Sequence, residues 1–366
     1  MNESHSRRTN KCINASTHQR INASTHQRIN ASLHHRINET TNTRTTPLEP
    51  RLNHQHQSPF APRALPSWRS LHFVPANVPK YVEKALTLDA DAIHLDLEDS
   101  VPLHEKPTAR LMVRETARRL HEEGQFDVVV RVNRPLSLGV KDIEAVVGPD
   151  VTAITLTKVH GVSHVKLMDE LISECELREG MPIGQTKLLV VVETAQAFFD
   201  MPNIATASQR IVAMMLGSED IALDGGFAPI DEVLLMPKQQ MVMAARAAGI
   251  LPFGYIGTIA NFRDTEKFRA MVRRSRLFGF EGGTSIHPLQ IPILNEEFGE
   301  KPEDVEYARK VIDLDEKASA AGRASFELDG KMIDIPIVER ARKTIARFEK
   351  HAAQHAARAR ARQSKG

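Results

Sequence analysis

Acidic side chains follow two apolar runs of the chain, where an unpaired charge would be costly to bury. Glu193 comes directly after LLVVV, and Asp220 lies in LGSEDIALDGG beside small residues that let a ligand approach the backbone. Two carboxylates with water oxygens form a hard-oxygen site that suits Mg²⁺, or alternatively Mn²⁺, and neither Cys nor His stands nearby to bind zinc. The alternative is that Glu193 pairs with Arg131 or Lys158 and that Asp220 caps a helix.

A guanidinium group interrupts another apolar run, VVVRVNRP, at Arg131. An inward-facing Arg at this position offers a bidentate fork to a carboxylate or an oxyanion. The structural alternative is a salt bridge to Glu98 or Asp99 in the acidic segment HLDLEDSV, and both interpretations hold if these acids orient the guanidinium. The two acids could also cap the helix that is predicted after them.

Short apolar or β-branched runs alternate with amphipathic stretches from Leu71 onward, which is typical of βα units. The eight candidate strands are 71–75, 91–97, 127–132, 151–157, 187–193, 211–216, 250–256 and 281–286. The helices predicted from apolar stripes at three- to four-residue spacing include 105–123, 231–248 and 263–279.

Eight such units over about 225 residues predict an α/β fold, a (β/α)8 TIM barrel, with a doubly wound open sheet as the alternative. In a barrel the chemistry belongs at the carboxyl ends of the strands, where the βα loops converge on one mouth. Arg131, Glu193 and Asp220 all lie near such ends. We therefore expect them to share one site.

The charge of the chain is unevenly distributed. The formal net charge is +2, but the first 63 residues hold nine Lys or Arg against three Glu, and the last 16 hold four basic residues and no acid. The basic residues therefore lie on the ends, and the middle of the chain is acidic. Phe60 is the only Phe, Tyr or Trp in these ends, so they have little to stack on bases and we do not expect nucleic-acid binding. A non-enzymatic nucleic-acid-binding or scaffold protein is a distant alternative.

The domain boundaries follow from the same change in composition. Residues 13–36 repeat an eight-residue unit, INASTHQR, that has no apolar face and cannot fold alone. We predict a disordered, repeat-containing tail over 1–66, the barrel over 67–300, a C-terminal helical segment over 301–350 and a basic tail over 351–366.

Several classes of protein are excluded by the composition. The chain has no uncharged apolar run of roughly 18 residues and no apolar leader, so we expect neither a membrane span nor export. Its two cysteines, Cys12 and Cys175, exclude a disulfide framework and fit a reducing compartment. We predict a cytoplasmic protein, with the mitochondrial matrix as the alternative if the first residues form a transit peptide.

A series of motifs in order along the chain resembles the citrate lyase beta-subunit-like and malyl-CoA lyase branch of the HpcH/HpaI aldolase superfamily. The motifs are RSLHFVPAN, ADAIHLDLEDSVPLHEKPTAR, VVRVNRP, VVVETAQAFFDMPNIA, LGSEDIALDGG, GFEGGTSIHPLQIPILNEEF and GKMIDIPIVERA. They cover about residues 68–345 of the sequence. The resemblance implies a (β/α)8 barrel that forms a trimer or a dimer of trimers and uses Mg²⁺ on acyl-CoA substrates.

The resemblance also implies roles for five residues. Glu193 in VETA and Asp220 in SEDIA match the metal ligands of the family, and Glu193 also contacts the substrate. Arg131 in VRVN matches the group that binds the substrate carboxylate and carbonyl. Arg69 in RSL matches a substrate or CoA contact, and Asp334 in GKMIDIP matches a catalytic acid that reaches into a neighbouring subunit's site.

The function that these implications favour is a Mg²⁺-dependent carbon-carbon lyase. It would cleave, or in reverse condense, a 3-hydroxyacyl-CoA such as malyl-, citramalyl-, methylmalyl- or citryl-CoA to an acyl-CoA and a 2-oxo acid. A homotrimer or hexamer is expected. The alternatives on the same scaffold are an acyl-CoA thioesterase and an aldolase for free 2-oxo acids.

Overall fold

Parallel β-strands and helices alternate along most of the chain. The computed structural model describes residues 63–258 and 263–363. The strands are β1 (Ser70–Pro75), β2 (Ala92–Asp96), β3 (Asp127–Val132), β4 (Ala153–Leu156), β5 (Lys187–Val192), β6 (Ile211–Leu216), β7 (Leu251–Pro252), β8 (Gly283–Ser285), β9 (Phe326–Leu328) and β10 (Lys331–Ile333). All eight predicted strands are present, although β7 and β8 are shorter than expected.

The helices surround the sheet and extend beyond it at the carboxyl end of the chain. They are α1 (Pro79–Ala85), α2 (Lys106–Gly124), α3 (Leu136–Val146), α4 (Val162–Arg178), α5 (Ala195–Phe199), α6 (Met201–Thr206), α7 (Ser218–Gly225), α8 (Asp231–Ala247), α9 (Thr265–Leu277), α10 (Gln290–Glu297), α11 (Pro302–Ala320) and α12 (Ile335–Gln363). Among the described residues, no helix is both long and apolar enough to cross a membrane.

The first eight strands form one sheet whose order is β7-β6-β5-β4-β3-β2-β1-β8, and every pair is parallel. A single parallel bridge between Phe253 and Gly282 joins the two ends of this sheet, with a hydrogen bond of 2.8 Å from the Gly254 amide to the Gly282 carbonyl. A doubly wound sheet would reverse its strand order at a switch point, and this sheet does not. The curled sheet is consistent with a TIM-barrel-like α/β fold.

Two buried apolar clusters hold the barrel together. One lies inside the sheet and includes Leu71, Val129 and Leu189. The other lies between the strands and the surrounding helices and includes Ile93 and Val190. Successive residues of a strand thus face the two clusters in turn, which explains why both faces of the strands are apolar in the sequence.

The C-terminal segment consists of α11, the antiparallel hairpin of β9 and β10, and α12. The boundary predicted between residues 350 and 351 has no counterpart, because α12 continues as one helix to Gln363. The run AAQHAARARA has high helix propensity, and Arg358 is buried against the barrel, where its guanidinium lies 3.1 Å from Asp91 Oδ1. The tandem repeats lie outside the described residues, so their disorder stays a prediction.

Candidate active site

A cavity of about 540 Å³ opens at the carboxyl ends of the barrel strands. All eight strands, or the loops that follow them, contribute lining residues, and the helix α8 adds Lys238. The charged lining residues include Asp96, Arg131, Glu193, Glu219, Asp220 and Lys238. The structure therefore brings together Arg131, Glu193 and Asp220, as the positions of these residues at strand ends predicted.

Arg131 projects from β3 into this cavity and is held by acids of the neighbouring strand end. Its guanidinium donates two hydrogen bonds of 2.7 Å to the carboxylate of Asp96 and lies 3.0 Å from Glu98 Oε2. It also lies over the ring of Phe73, 4.8 Å from the ring centroid. Burial would raise the pKa of Asp96, but the paired Arg131 holds that pKa well below its ordinary value. The acids thus fix the plane of the guanidinium and leave it in the cavity wall.

Glu193 follows β5 and is almost completely buried. Its Oε2 accepts a hydrogen bond of 2.5 Å from the backbone amide of Lys158. Space for the side chain depends on Gly217 at the end of β6, because a Cβ there would lie 2.6 Å from Glu193 Cγ. Burial raises the pKa of Glu193 to about 8; the Lys158 amide opposes that rise, and the charges of Asp220 and Glu98 add to it.

Lys158 connects the acids of this site through both its backbone and its side chain. Its φ of 48° lies in the left-handed region, which is uncommon for a residue with a side chain and turns its amide toward Glu193. Its Nζ donates to Glu98 Oε1 at 2.6 Å and lies 3.9 Å from Asp220 Oδ1. The hydrogen bond from Lys158 to Glu193 thus comes from the main chain, whereas the alternative expected from the sequence was a pairing of charges.

The charges in this part of the cavity fit a bound divalent cation. Glu193 is buried close to two further carboxylates, Asp220 and Glu98, and its pKa is raised accordingly, so a cation would favour its ionised form. Asp220 lies in the first turn of α7 with a side chain that is 41% exposed. No cluster of three or more His, Cys, Asp or Glu side chains suited to a metal occurs in the described parts of the chain. An ion held by Glu193 and Asp220 would therefore keep positions open for substrate and water.

Arg69 differs from its expected role. It directly precedes β1, so it lies at the amino end of the strand, whereas the cavity opens at the carboxyl end. Its guanidinium makes a bidentate contact with Asp91, at 2.8 and 2.9 Å, and Asp91 also contacts Arg358 from α12. The expectation of a substrate or CoA contact is contradicted by this geometry, and Arg69 instead joins the barrel to the C-terminal helix.

Asp334 is exposed between β10 and α12 and does not line the cavity. Its backbone carbonyl accepts hydrogen bonds from the amides of Ile337 and Val338 in the first turn of α12. The side chains of Met332 and Ile335, which flank it, are 73% and 58% exposed.

Lys238 and His94 are among the cavity residues that were not predicted. Lys238 is buried on α8, its Nζ donates to the Leu216 carbonyl at 2.5 Å, and burial lowers its pKa to about 7. Its spacing from Leu234 and Met241 places it on the apolar stripe of that helix, which could have revealed it. His94 lies two residues before Asp96 on β2, so the alternation of that strand directs it to the barrel interior.

Two curated proteins are similar to this chain over about three quarters of its length. The citrate lyase subunit beta of Leuconostoc mesenteroides subsp. cremoris is 33% identical over 280 residues, which are 76% of this chain and 92% of the relative. A (3S)-malyl-CoA thioesterase of Cereibacter sphaeroides is 31% identical over 78% of this chain and 96% of the relative.

Solved structures show the same similarity. CitE from Mycobacterium tuberculosis, in complex with magnesium, acetoacetate and coenzyme A, matches with a TM-score of 0.61 and 28% identity, covering 78% of this chain and 99% of CitE. The family model described as HpcH/HpaI aldolase/citrate lyase matches residues 69–288, which contain the whole cavity wall. The chain therefore belongs to the HpcH/HpaI aldolase/citrate lyase family.

Proposed function

We propose that this protein is a Mg²⁺-dependent carbon-carbon lyase for a 3-hydroxyacyl-CoA of the malyl-, citramalyl-, methylmalyl- or citryl-CoA type. The observation that carries the proposal is the buried Glu193 close to Asp220, in the same cavity as an Arg131 that is held in place by acids. The similarity to a citrate lyase beta subunit and to a CitE structure that contains magnesium and coenzyme A supports it.

The residues of the cavity have separate roles in cleavage. Glu193 and Asp220 hold the ion, which supplies Lewis-acid stabilisation of negative charge on substrate oxygens. Arg131 presents its fork to the carboxylate and the neighbouring oxygen of the 2-oxo acid moiety. Asp96 and Glu98 keep that fork oriented before the substrate arrives, so no reorganisation is needed in the transition state.

Cleavage requires proton movement at two positions. The 3-hydroxyl group loses its proton, the bond between C2 and C3 breaks, and its electron pair passes to the thioester as an enolate. C3 becomes the carbonyl carbon of the 2-oxo acid, and the enolate carbon must then take up a proton. Asp334 of a neighbouring subunit is the proposed donor. The exposed apolar side chains of Met332 and Ile335 beside it support such a subunit contact, in a homotrimer or hexamer.

A thioesterase is the second candidate, because a relative at 31% identity is a (3S)-malyl-CoA thioesterase. In that reaction water attacks the thioester carbonyl, CoA leaves as the thiol, and the carbon skeleton of the acid stays intact. The same cavity and carboxylates would serve both reactions. The two are separated by their products.

The test is product analysis by mass spectrometry with the four CoA thioesters, each with Mg²⁺ and with EDTA. A lyase yields an acyl-CoA and a 2-oxo acid, and EDTA abolishes both. Free CoA together with an intact hydroxy acid would select the thioesterase. Turnover that is unchanged in EDTA would contradict the assigned role of Glu193 and Asp220, whichever products form.

A further inference from the structure

The cavity continues below its charged rim into the barrel. Side chains two residues apart on a strand point the same way and are separated by about 6.6 Å. Two residues before Asp96 and Glu193 stand His94 and Val191, and both line the cavity. We define the lower chamber by the six lining residues of this inner layer, which are Phe73, His94, Thr155, Val191, Met215 and Thr284.

The lower chamber has no cationic side chain. Its one titratable member is His94, whose pKa is lowered to about 3 by burial and by the charge of Arg131, so the imidazole is neutral near pH 7. The two cations that line the cavity are engaged above the chamber. Arg131 is paired with Asp96, and Lys238 donates to the carbonyl of Leu216 at the carboxyl end of β6. The chamber residues themselves therefore offer no cationic side chain to a carboxylate buried among them.

One polar atom of the chamber is left without a partner. His94 Nε2 lies 2.8 Å from Thr155 Oγ1, but His94 Nδ1 is buried and has no hydrogen-bond partner among the described residues. The other members contribute mainly apolar surface, including the Phe73 ring that stacks on the imidazole at 4.2 Å. The chamber thus suits an apolar group.

The length of a CoA thioester sets the direction in which the substrate enters. The CoA portion is too large for a cavity of about 540 Å³ and must extend out of the mouth, so the opposite end of the substrate lies deepest. If the proposed function holds, the rim binds the carboxylate and carbonyl of the 2-oxo acid moiety. The remaining part of that moiety is its substituent at C2, which points into the lower chamber.

We propose that the lower chamber selects 2-oxo acids with an uncharged substituent of at least one carbon, such as an alkyl group. Glyoxylate would leave the chamber unfilled, and oxaloacetate would place its second carboxylate among six residues that include no cationic side chain. Of the four CoA thioesters above, only citramalyl-CoA releases a 2-oxo acid of this class, which is pyruvate. The inference names the substrate class of the proposed lyase and rests on that function.

The first experiment measures condensation with acetyl-CoA and Mg²⁺ for glyoxylate, pyruvate, 2-oxobutyrate and oxaloacetate. We expect kcat/KM for pyruvate or 2-oxobutyrate to exceed the values for the other two by about tenfold or more, the effect of one methyl group in a hydrophobic pocket. A preference for glyoxylate or oxaloacetate would overturn the inference and leave the lyase function intact.

Variants that fill the chamber test its position. Val191→Phe and Met215→Phe should each lower the ratio of kcat/KM for 2-oxobutyrate over glyoxylate by about tenfold or more. Met243→Phe makes the same change as Met215→Phe at a side chain that is 69% exposed on α8, and it should leave the ratio unchanged. Circular dichroism shows whether Val191→Phe and Met215→Phe fold. If one of them does not, the other provides the test. A ratio unchanged in a folded variant contradicts the inference.

Binding without turnover separates the two proposals. Calorimetry with each 2-oxo acid and Mg²⁺, in the absence of CoA, reports on the chamber whether or not a carbon-carbon bond forms. Tighter binding of pyruvate or 2-oxobutyrate without any condensation would support the chamber and reject the lyase. Equal binding of all four acids, or no binding of any, would reject the chamber even if the lyase is active.

Discussion

At the scale of single residues, the site is a set of acids whose charges are only partly balanced. Asp96 is fully paired with Arg131, and Glu98 is shared by Arg131 and Lys158. Among the described residues, Glu193 accepts a hydrogen bond only from the backbone amide of Lys158. The buried carboxylate with the weakest compensation is therefore the one that the proposed metal ion would need.

Glu193→Gln tests this imbalance. The amide keeps the shape of the side chain and can still accept the hydrogen bond from Lys158, but it cannot supply a negative charge to the ion. We expect kcat/KM to fall by about 10²–10³-fold or more. Because the raised pKa of Glu193 means that its ionised form costs stability, the metal-free variant should melt at the same temperature as the parent or higher.

The control is Glu232→Gln, an exposed acid at the start of α8. Steady-state kinetics and thermal melts, each with and without Mg²⁺, provide both measurements. Retention of Mg²⁺-stimulated turnover by Glu193→Gln would be incompatible with its role as a ligand.

The lowered pKa of His94 predicts that the stability of the protein depends on pH. Its pKa is about 3 in the folded protein, below the ordinary value of 6.5, so between these values the unfolded chain binds a proton that the folded protein does not. The free energy of unfolding should therefore fall as the pH falls from 6.5 toward 3, with a contribution of at most about 1.4 kcal/mol per pH unit.

The measurement compares urea unfolding of the parent and of His94→Met at pH 7.5, 6.5 and 5.5. The stability of the parent relative to the variant should decline over the lower two values. His104→Met, which changes an exposed imidazole, serves as the control and should follow the parent. Parallel curves for the parent and His94→Met would contradict a buried neutral imidazole.

At the scale of elements, strands with continuous β-branched or apolar runs were predicted to within one or two residues. The predicted strand 250–256 is the poorest match, because only Leu251 and Pro252 pair regularly; Pro252 has no amide hydrogen, and Gly254 has a φ of 121°. The position of Arg69 before the first strand already placed it opposite the mouth. The role that the resemblance implies for Arg69 does not agree with this position, because its guanidinium pairs with Asp91.

The last turns of α12 could not be placed from composition alone. Their Ala and Arg content fits both a solvated tail and a docked helix, and the difference depends on Asp91, more than 250 residues away in the sequence. Asp91 is completely buried between Arg69 and Arg358. A tertiary contact therefore determines the end of this helix.

Two substitutions test this contact. Arg358→Met should lower the free energy of unfolding by about 1–3 kcal/mol, because Asp91 keeps Arg69 as a partner. Asp91→Asn should cost more, about 3–5 kcal/mol, because two buried guanidinium groups lose their counter-charge. Denaturant unfolding gives both values, and Arg360→Met, at an exposed position on the same helix, is the control. A smaller effect for Asp91→Asn than for Arg358→Met would contradict the arrangement.

At the scale of the whole molecule, the proposed acid and the proposed metal ligands are on different parts of the chain. Asp334 is exposed beside two exposed apolar side chains, and the cavity wall of the same subunit does not include it. If each site takes Asp334 from a neighbouring subunit, an isolated subunit contains every residue of the site but cannot bring Asp334 to its own metal ligands.

Mixing two inactive variants tests that proposal. Glu193→Gln and Asp334→Asn should each be inactive alone, but oligomers re-formed from an equal mixture should recover about a quarter of the parental sites, because that fraction pairs an intact Glu193 with an intact Asp334. Activity before and after subunit exchange is the measurement. No recovery after verified exchange would place Asp334 outside the neighbour's site.

The docking of α12 also has a practical consequence for handling the protein. Lys350 donates a hydrogen bond to the Leu65 carbonyl, and Arg358 reaches Asp91, so the first described residues and the last helix lie together at the amino ends of the strands. The cavity opens about 20 Å away, one strand length, on the other side of the barrel. A fluorophore or an affinity handle attached near residue 65 or on the exposed side of the last turns of α12, around Arg358, therefore lies far from the mouth of the same subunit, and a surface-tethered sample keeps that mouth open to bulky CoA thioesters.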